Sequence, residues 1–404
     1  MFLKIFVFFQ IYNFLFPIKF SFFSSFGFIF TLFGVFVGVF YCFLCDRSKF
    51  NSYLLKQVFI VSFLLSFFSI FSVLYNKSDD YISIVQGFKF FWVFLSGYFI
   101  FYLLYRVYRC DADRKIIGLI VFFGGIVAAT SILEFFSPSF KTVLDTFIDT
   151  SGNIDYAESF RSHGLASSGG AALSLSMALI FILSLTKVCK NELGKITPAL
   201  SLIVFCSTLF IGRSGLVLCT MTIVVFLITK TSSLIRFLGL VLCFLVFFLL
   251  YSPLNDEQIN IIYSYSLEPI KSFNETGSFE SKTSEHLKTM FFIPDIENIF
   301  LGGGYWRYPI FPYFLSDVGY LKVLLGFGLI GFIVFYFFSF FIYYKSYKYY
   351  SFMFGDRRLF FILFFSLFFF EIKEAFLIQN YAFKILVILV VSSSFLYNKN
   401  KVES

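Results

Sequence analysis

Long apolar segments alternate with short polar connections along the whole chain. About twelve of these segments approach the length that a helix needs to cross the roughly 30 Å hydrocarbon core of a bilayer. They lie near residues 2–16, 21–45, 57–75, 87–105, 116–136, 166–186, 196–212, 214–229, 234–252, 318–343, 359–372 and 376–397. The pattern predicts an all-α, polytopic integral membrane protein with about twelve transmembrane helices, in which residues 1–404 form a single membrane domain.

The basic residues between the segments predict an orientation in the membrane. If the spans alternate in direction, one face receives nearly all the Lys- and Arg-rich connections, such as the one that contains Arg106, Arg109 and Arg114. Positively charged connections remain in the cytoplasm, so both termini are predicted to be cytoplasmic. Two long connections, 137–165 and 253–317, then lie on the outer face.

Composition agrees with a membrane location. Hydrophobic residues make up 59% of the 404 positions and charged residues only 14%, whereas soluble domains have about a quarter charged residues. The net charge of +8 comes from Lys and Arg at the ends of apolar segments, a placement that predicts no nucleic-acid partner. Cys42 and Cys45 form a C-x-x-C without a second ligand pair, and Asp111 and Asp113 form a D-x-D without a nucleotide-binding pattern. We therefore predict no metal and no cofactor.

Two arginines of the outer face could bind an anion. Arg161 precedes the Ser- and Gly-rich entry to the sixth span, and Arg213 lies in the turn between the seventh and eighth spans. A guanidinium at the membrane surface can bind phosphate oxygens through a bidentate fork. The alternative is that both side chains fix helix ends to lipid headgroups. For Arg213 the functional interpretation is favoured, because an arginine near lipid depth is costly and is usually functional.

The second outer loop contains a glycine triplet followed by an arginine. Residues 302–304 are all glycine, and Arg307 follows three positions later. Adjacent glycines let backbone N–H groups approach a ligand closely, so Gly303 is a candidate binding residue. A flexible turn is the alternative.

A transferase that acts on a hydroxyl needs a group that accepts the proton. The candidates in the outer connections are Asp317, His286, Glu285, His163 and Glu134. Asp317 is favoured, because its place at the boundary between loop and membrane predicts partial desolvation. Its alternative role is to cap the following helix beside Ser316. The two histidines are predicted to be loop residues on the outer face.

Four short motifs, in this order, resemble the O-antigen polymerase (Wzy-type) family and the related O-antigen ligases. They are Arg161 with Gly164, the turn Gly212-Arg213-Ser214-Gly215, the stretch Phe300-Leu301-Gly302-Gly303-Gly304, and Ser316-Asp317-Val318-Gly319-Tyr320 leading to Gly328-Leu329-Ile330-Gly331. The motifs lie in 160–216 and 280–332. Ligases of this kind carry a histidine in the large outer loop, as His286 does here, so both activities stay open.

The resemblance implies a GT-C-like, metal-independent glycosyltransferase at the periplasmic face of a bacterial inner membrane. It would join two undecaprenyl-diphosphate-linked glycans, one as donor and one as acceptor, in the bilayer and with a chain-length regulator as partner protein. Asp317 and His286 would be catalytic, and the diphosphate or substrate would bind Arg161, Arg213, Arg307, His163, Gly303 and Tyr320. The alternatives are a ligase that transfers glycan to the lipid A core and, from another class, a flippase of lipid-linked glycans.

Overall fold

Helices make up nearly all of the chain that the computed structural model describes. The described residues are 2–45, 52–149, 162–190, 196–229, 268–277, 282–306, 309–310, 314–354 and 357–402, with the single residues 239, 260 and 264. The helices are α1 Phe2–Leu15, α2 Phe26–Cys45, α3 Ser52–Asn76, α4 Ile82–Tyr108, α5 Ala112–Phe136, α6 Pro138–Phe147, α7 Gly170–Lys190, α8 Ile196–Ile211, α9 Arg213–Thr229, α10 Glu268–Thr276, α11 Lys282–Met290, α12 Ile296–Leu301, α13 Gly319–Phe354, α14 Arg357–Phe370, α15 Phe376–Gln379 and α16 Tyr381–Val402. A short antiparallel pair, β1 Pro309–Ile310 and β2 Phe314–Leu315, completes the described elements.

The helices have the length and surface of a multi-pass membrane protein. Six of those described are long and apolar enough to cross a membrane, namely α2, α3, α4, α5, α7 and α13. Helix α2 contains no charged residue and exposes Phe33, Phe36, Phe40 and Phe43 along one side. An apolar stripe of this length is suited to hydrocarbon and not to water. Four further predicted spans contain shorter apolar helices, α1, α8, α9 and α16, and nearly all of the predicted span 234–252 lies outside the described residues.

The chain forms two compact units. The first consists of Met1–Gly34 and Leu103–Phe279, and the second of Val35–Tyr102 and Glu280–Ser404. In the first unit, α7 packs against α5, α8 and α9 and is almost entirely buried. The contact between α7 and α5 is close at Gly124 of α5, because a Cβ there would lie 2.7 Å from methyl carbons of Ile180 in α7.

An aromatic cluster centred on Phe90 of α4 forms part of the core of the second unit. Its ring lies 5.5 Å from the ring of Phe335 in α13 and 5.6 Å from that of Phe383 in α16. Serines join α3 to α4, and the Ser69 hydroxyl is 2.6 Å from that of Ser83. This core holds the elements that contain the second group of sequence motifs, in residues 280–332.

Helix α13 is broken, although the sequence predicts one continuous span over 318–343. Gly328 has φ 68° and ψ 176°, which is not helical. The rings of Tyr320 and Tyr336 are 5.2 Å apart, whereas a continuous helix would separate these positions by about 24 Å. Residues 319–327 therefore fold back along the second part of α13. A Cβ at Gly328 would lie 2.7 Å from the Phe300 carbonyl oxygen, so the bend requires glycine.

Candidate functional site

In the first unit, the segment 162–168 is fixed to the end of α5. The Glu134 carboxylate accepts hydrogen bonds through Oε2 from the backbone N–H groups of His163 at 2.9 Å and Gly164 at 2.7 Å. The Leu165 N–H donates to the Thr130 hydroxyl at 3.2 Å. The chain that follows Arg161 therefore has a defined conformation against this helix.

Gly164 is essential to that conformation. Its φ is +58°, and a Cβ there would lie 2.6 Å from the Val127 carbonyl oxygen. We expect Gly164→Ala to lower the free energy of unfolding by about 1–3 kcal/mol from backbone strain, with a further loss from the overlap. The measurement is the midpoint of thermal unfolding in detergent. Gly118→Ala is the control, because nothing lies within 4 Å of a Cβ at Gly118 in the same α5. Equal midpoints for the wild type and Gly164→Ala would contradict this role.

His163 is buried, although it lies in a connection that the sequence predicts for the outer face. It is 2% exposed. Nδ1 lies 2.9 Å from the Gly164 carbonyl oxygen and 3.0 Å from that of Ala166. Nε2 lies 3.4 Å from Asp145 Oδ1 and 3.6 Å from Glu134 Oε1. Asp145, on α6 within the first outer loop, was not among the sequence-predicted residues.

Arg213 begins α9 in a turn that α7 holds rigidly. The Ser174 hydroxyl donates to the Gly212 carbonyl oxygen and accepts the Gly215 N–H at 2.9 Å. A Cβ on Gly215 would overlap the Ser174 carbonyl group. The turn therefore needs glycine at position 215, and its hydrogen bonds to Ser174 fix the backbone on both sides of Arg213.

The Arg213 guanidinium forms an ion pair with Glu268, the first residue of α10. Both side chains are 16% exposed. Glu268 lies in the second outer loop and was not predicted as a partner. The guanidinium thus holds a carboxylate in this structure, whereas the sequence predicts that it binds phosphate oxygens.

Two predicted motifs of the first unit are neighbours in the fold. The Ser162 N–H donates to the Phe210 carbonyl oxygen at 3.2 Å, so the residue after Arg161 contacts the end of the helix that precedes Arg213. The sequence predicted both motifs for the outer face. Arg161 itself lies outside the described residues.

In the second unit, Asp317 is exposed, and the predicted desolvation of its side chain is wrong. The side chain is 60% exposed, and its Oδ1 accepts a hydrogen bond from Lys322 Nζ at 3.0 Å. Helix α13 begins only at Gly319, so the Asp317 carboxylate lies outside the packed helices. Asp317 is therefore accessible to a substrate and has a cation beside it.

The turn 371–375 packs against the start of α13. The Glu371 carbonyl oxygen accepts the Gly319 N–H at 2.8 Å. Its buried carboxylate accepts the Leu377 N–H at 2.6 Å and the Tyr336 hydroxyl at 3.0 Å. Tyr320, a predicted binding residue, donates its hydroxyl to the Phe368 carbonyl oxygen at 2.6 Å. These bonds fix the beginning of α13 beside this turn.

Glu374 belongs to the same charged cluster as Asp317 and Lys322. Burial raises the pKa of the Glu374 carboxyl, the Lys322 ammonium lowers it in part, and the Asp317 carboxylate raises it further. Lys322 and Glu374 were not among the sequence-predicted site residues. The sequence does carry a signal for Glu374, because the charged stretch 371–374 lies between two apolar segments. Ionisable residues within such segments are usually functional.

The glycine triplet packs against α3 and α13. The Gly302 carbonyl oxygen accepts the Asn76 side-chain N–H at 2.7 Å, and the Gly304 N–H donates to the Leu325 carbonyl oxygen at 3.1 Å. A Cβ on Gly302 would lie 2.5 Å from the Ser72 hydroxyl. Gly303 is buried between these two contacts. The alternative of a flexible turn is therefore wrong, and the Gly304 N–H is already bonded.

For three of the predicted site residues, Arg161, Arg307 and His286, the structure describes no side chain. Arg307 lies outside the described residues, and His286 lies in α11 at a position whose side chain is not described. Charged clusters among the described residues thus include the Glu134–His163–Asp145 group and the Arg213–Glu268 pair in the first unit, and the Asp317–Lys322–Glu374 group in the second. Comparisons of the chain with protein-family models, curated proteins and solved structures give no match, so these clusters carry the functional assignment.

Proposed function

We propose that this chain is an O-antigen polymerase, a metal-independent glycosyltransferase with about twelve spans and a GT-C-like fold. It joins undecaprenyl-diphosphate-linked repeat units at the periplasmic face of a bacterial inner membrane, with both termini in the cytoplasm and a chain-length regulator as partner. The observation that carries the proposal is Arg213, a guanidinium fixed at the end of an apolar helix and paired with a carboxylate. The resemblance of the sequence motifs supports it.

The proposed reaction requires a cation and a base. A bond forms between an acceptor hydroxyl oxygen and the anomeric carbon of the donor, and the bond from that carbon to the diphosphate oxygen breaks. The hydroxyl proton passes to a carboxylate, and the lipid diphosphate leaves with the bonding electrons. Arg213 is the proposed source of positive charge for the leaving diphosphate. The sequence motif that contains Asp317 supports this carboxylate as the base.

Deletion of the gene in the producing bacterium tests the proposal, with surface polysaccharide separated by gel electrophoresis. A polymerase deletion leaves surface glycan of one repeat unit on the lipid core. A ligase deletion instead leaves lipid-linked polymer that never reaches the core. Ordinary long-chain polysaccharide after deletion would contradict both activities.

The break in α13 favours a second candidate, a flippase of lipid-linked glycans. Transporters build substrate sites at discontinuous helices, and Gly328 interrupts α13 where the chain packs against Phe300 and Gly302. The test is purified protein in liposomes. Movement of lipid-linked oligosaccharide across the bilayer without any lengthening would support transport and reject the polymerase.

A further inference from the structure

The backbone around Asp317 is fixed on both sides, although the Asp317 side chain is exposed. On one side, the buried Ser316 hydroxyl donates to the Met290 carbonyl oxygen at 3.1 Å. On the other side, the Gly319 N–H donates to the Glu371 carbonyl oxygen at 2.8 Å. An exposed carboxylate on a backbone held in this way has a defined position.

Glu371 forms the second of these anchors, and its side chain is fully buried. Its Oε1 accepts the Leu377 N–H at 2.6 Å, and its Oε2 accepts the Tyr336 hydroxyl at 3.0 Å. One carboxylate therefore connects the turn 371–375 to α15 and to the second part of α13. A Cβ on Gly319 would overlap the same Oε2. The carboxylate thus packs directly against the backbone two positions after Asp317.

A carboxylate is a costly group with which to join helices. Its removal from water is unfavourable, and an apolar side chain of similar size could supply the packing alone. Ionisable residues at such depth are usually functional. Because Glu371 is fully buried, it does not itself contact a substrate. Any effect on the reaction passes through the groups that it holds, and Gly319 is the one that lies beside the candidate base.

We infer that Glu371 is a positioning residue for Asp317. The inference rests on the proposed function, in which Asp317 takes the proton from the acceptor hydroxyl. Glu371 fixes the start of α13 and so keeps the Asp317 carboxylate at one distance from that hydroxyl. A displacement of about 1 Å at a catalytic group can lower a rate about a hundredfold, so the loss of this support should be visible in turnover.

The first test measures how firmly the backbone near Asp317 is held, and it needs no substrate. Hydrogen exchange of the backbone amides in 317–322 is followed in the full-length protein in nanodiscs. Glu371→Gln keeps the size of the side chain but has one carbonyl oxygen in place of two carboxylate oxygens. Exchange should become about tenfold faster or more, the factor that corresponds to one lost hydrogen bond to a charged group.

Glu297→Gln is the matched control for exchange, because it changes an exposed carboxylate on α12 of the same unit. It should leave exchange in 317–322 unchanged. Unchanged exchange in folded Glu371→Gln would overturn the inference, as would equal acceleration in both variants.

The second test separates positioning from a general loss of structure. Glu371→Gln should lower kcat for glycan transfer about ten- to a hundredfold and leave KM unchanged, because the substrate contacts remain. In the Asp317→Asn background the same substitution should have no further effect, since the base that it positions is absent. Equal losses in both backgrounds would indicate a structural role and would overturn the inference.

Tyr336→Phe tests the same link without a change at Glu371. It removes the hydroxyl that donates to Oε2 but keeps the ring, whose centroid lies 4.6 Å from that of Phe332. Exchange and kcat should change in the same directions as in Glu371→Gln but by less, and this variant carries the test if Glu371→Gln does not fold. No change in either measurement would overturn the inference.

The two proposals fail in different ways. Folded wild-type protein that transfers no glycan would reject the proposed function, and the role of Glu371 with it. Active wild-type protein with unchanged kcat in both Glu371→Gln and Tyr336→Phe would reject this inference alone.

Discussion

We expect Arg213→Ala to abolish the proposed chain extension while the protein is inserted in the membrane at normal levels. A hydrogen bond to a charged group contributes about 1.5–3 kcal/mol, so the loss of a bidentate contact to the leaving diphosphate lowers turnover at least about a hundredfold. Arg213→Lys keeps the charge without the planar fork and should recover only part of the activity. The measurement is polymer length and amount on a gel, with membrane protein quantified by immunoblot.

Two controls separate function from folding. Arg114→Ala removes an exposed arginine at the start of α5 and should leave extension unchanged. The Arg213→Ala variant removes the guanidinium that pairs with the Glu268 carboxylate. Combining it with Glu268→Gln removes the carboxylate charge as well, and the double variant should restore any lost stability but not activity. Full-length polymer from Arg213→Ala would reject the assignment of this residue to substrate binding.

Asp317→Asn should have the second largest effect. The amide keeps the size of the side chain but cannot accept a proton, and general base catalysis typically contributes about 10²–10⁴-fold to the rate. We expect extension to fall within that range, measured with a diphospholipid-linked substrate at saturating concentration. The neighbouring Lys322 then loses its carboxylate at 3.0 Å, so the Lys322→Met variant reports the part of the loss that comes from the ion pair alone.

The control for Asp317→Asn is Glu297→Gln, which removes an exposed carboxylate from α12 of the same unit. It should leave the rate unchanged. If Asp317→Asn gives unchanged polymer length and amount, Asp317 is only the structural partner of Lys322. A large loss in Glu374→Gln with none in Asp317→Asn would transfer the role of base to Glu374.

The sequence predicted the helices because their signal is local. Length and apolarity alone predict the spans 21–45 and 116–136, which in the structure are the helices Phe26–Cys45 and Ala112–Phe136. The break at Gly328 has no such signal, since glycine is common in transmembrane helices. The bend depends on the approach of Phe300 and Gly302, which lie more than twenty positions earlier in the chain.

For the site residues, too, the sequence predicted features that depend on neighbouring positions and not those that depend on distant ones. Arg213 was predictable, because a charge in a short turn between two apolar runs is visible in the sequence. Its partner Glu268 was not, because an ion pair across 55 positions depends on the fold. The burial of His163 likewise depends on Glu134, which is 29 positions away. Glu374 could have been found from the charged interruption at 371–374.

The most direct test of the proposed function is an in vitro reaction of the purified protein with a synthetic undecaprenyl-diphosphate-linked repeat unit, analysed by mass spectrometry. We predict dimers and longer products that each retain one lipid diphosphate, with release of one undecaprenyl diphosphate for every bond formed. The same products should be absent with Arg213→Ala. Substrate that stays monomeric with folded wild-type protein, across the range of repeat units the producing bacterium makes, would contradict the assignment.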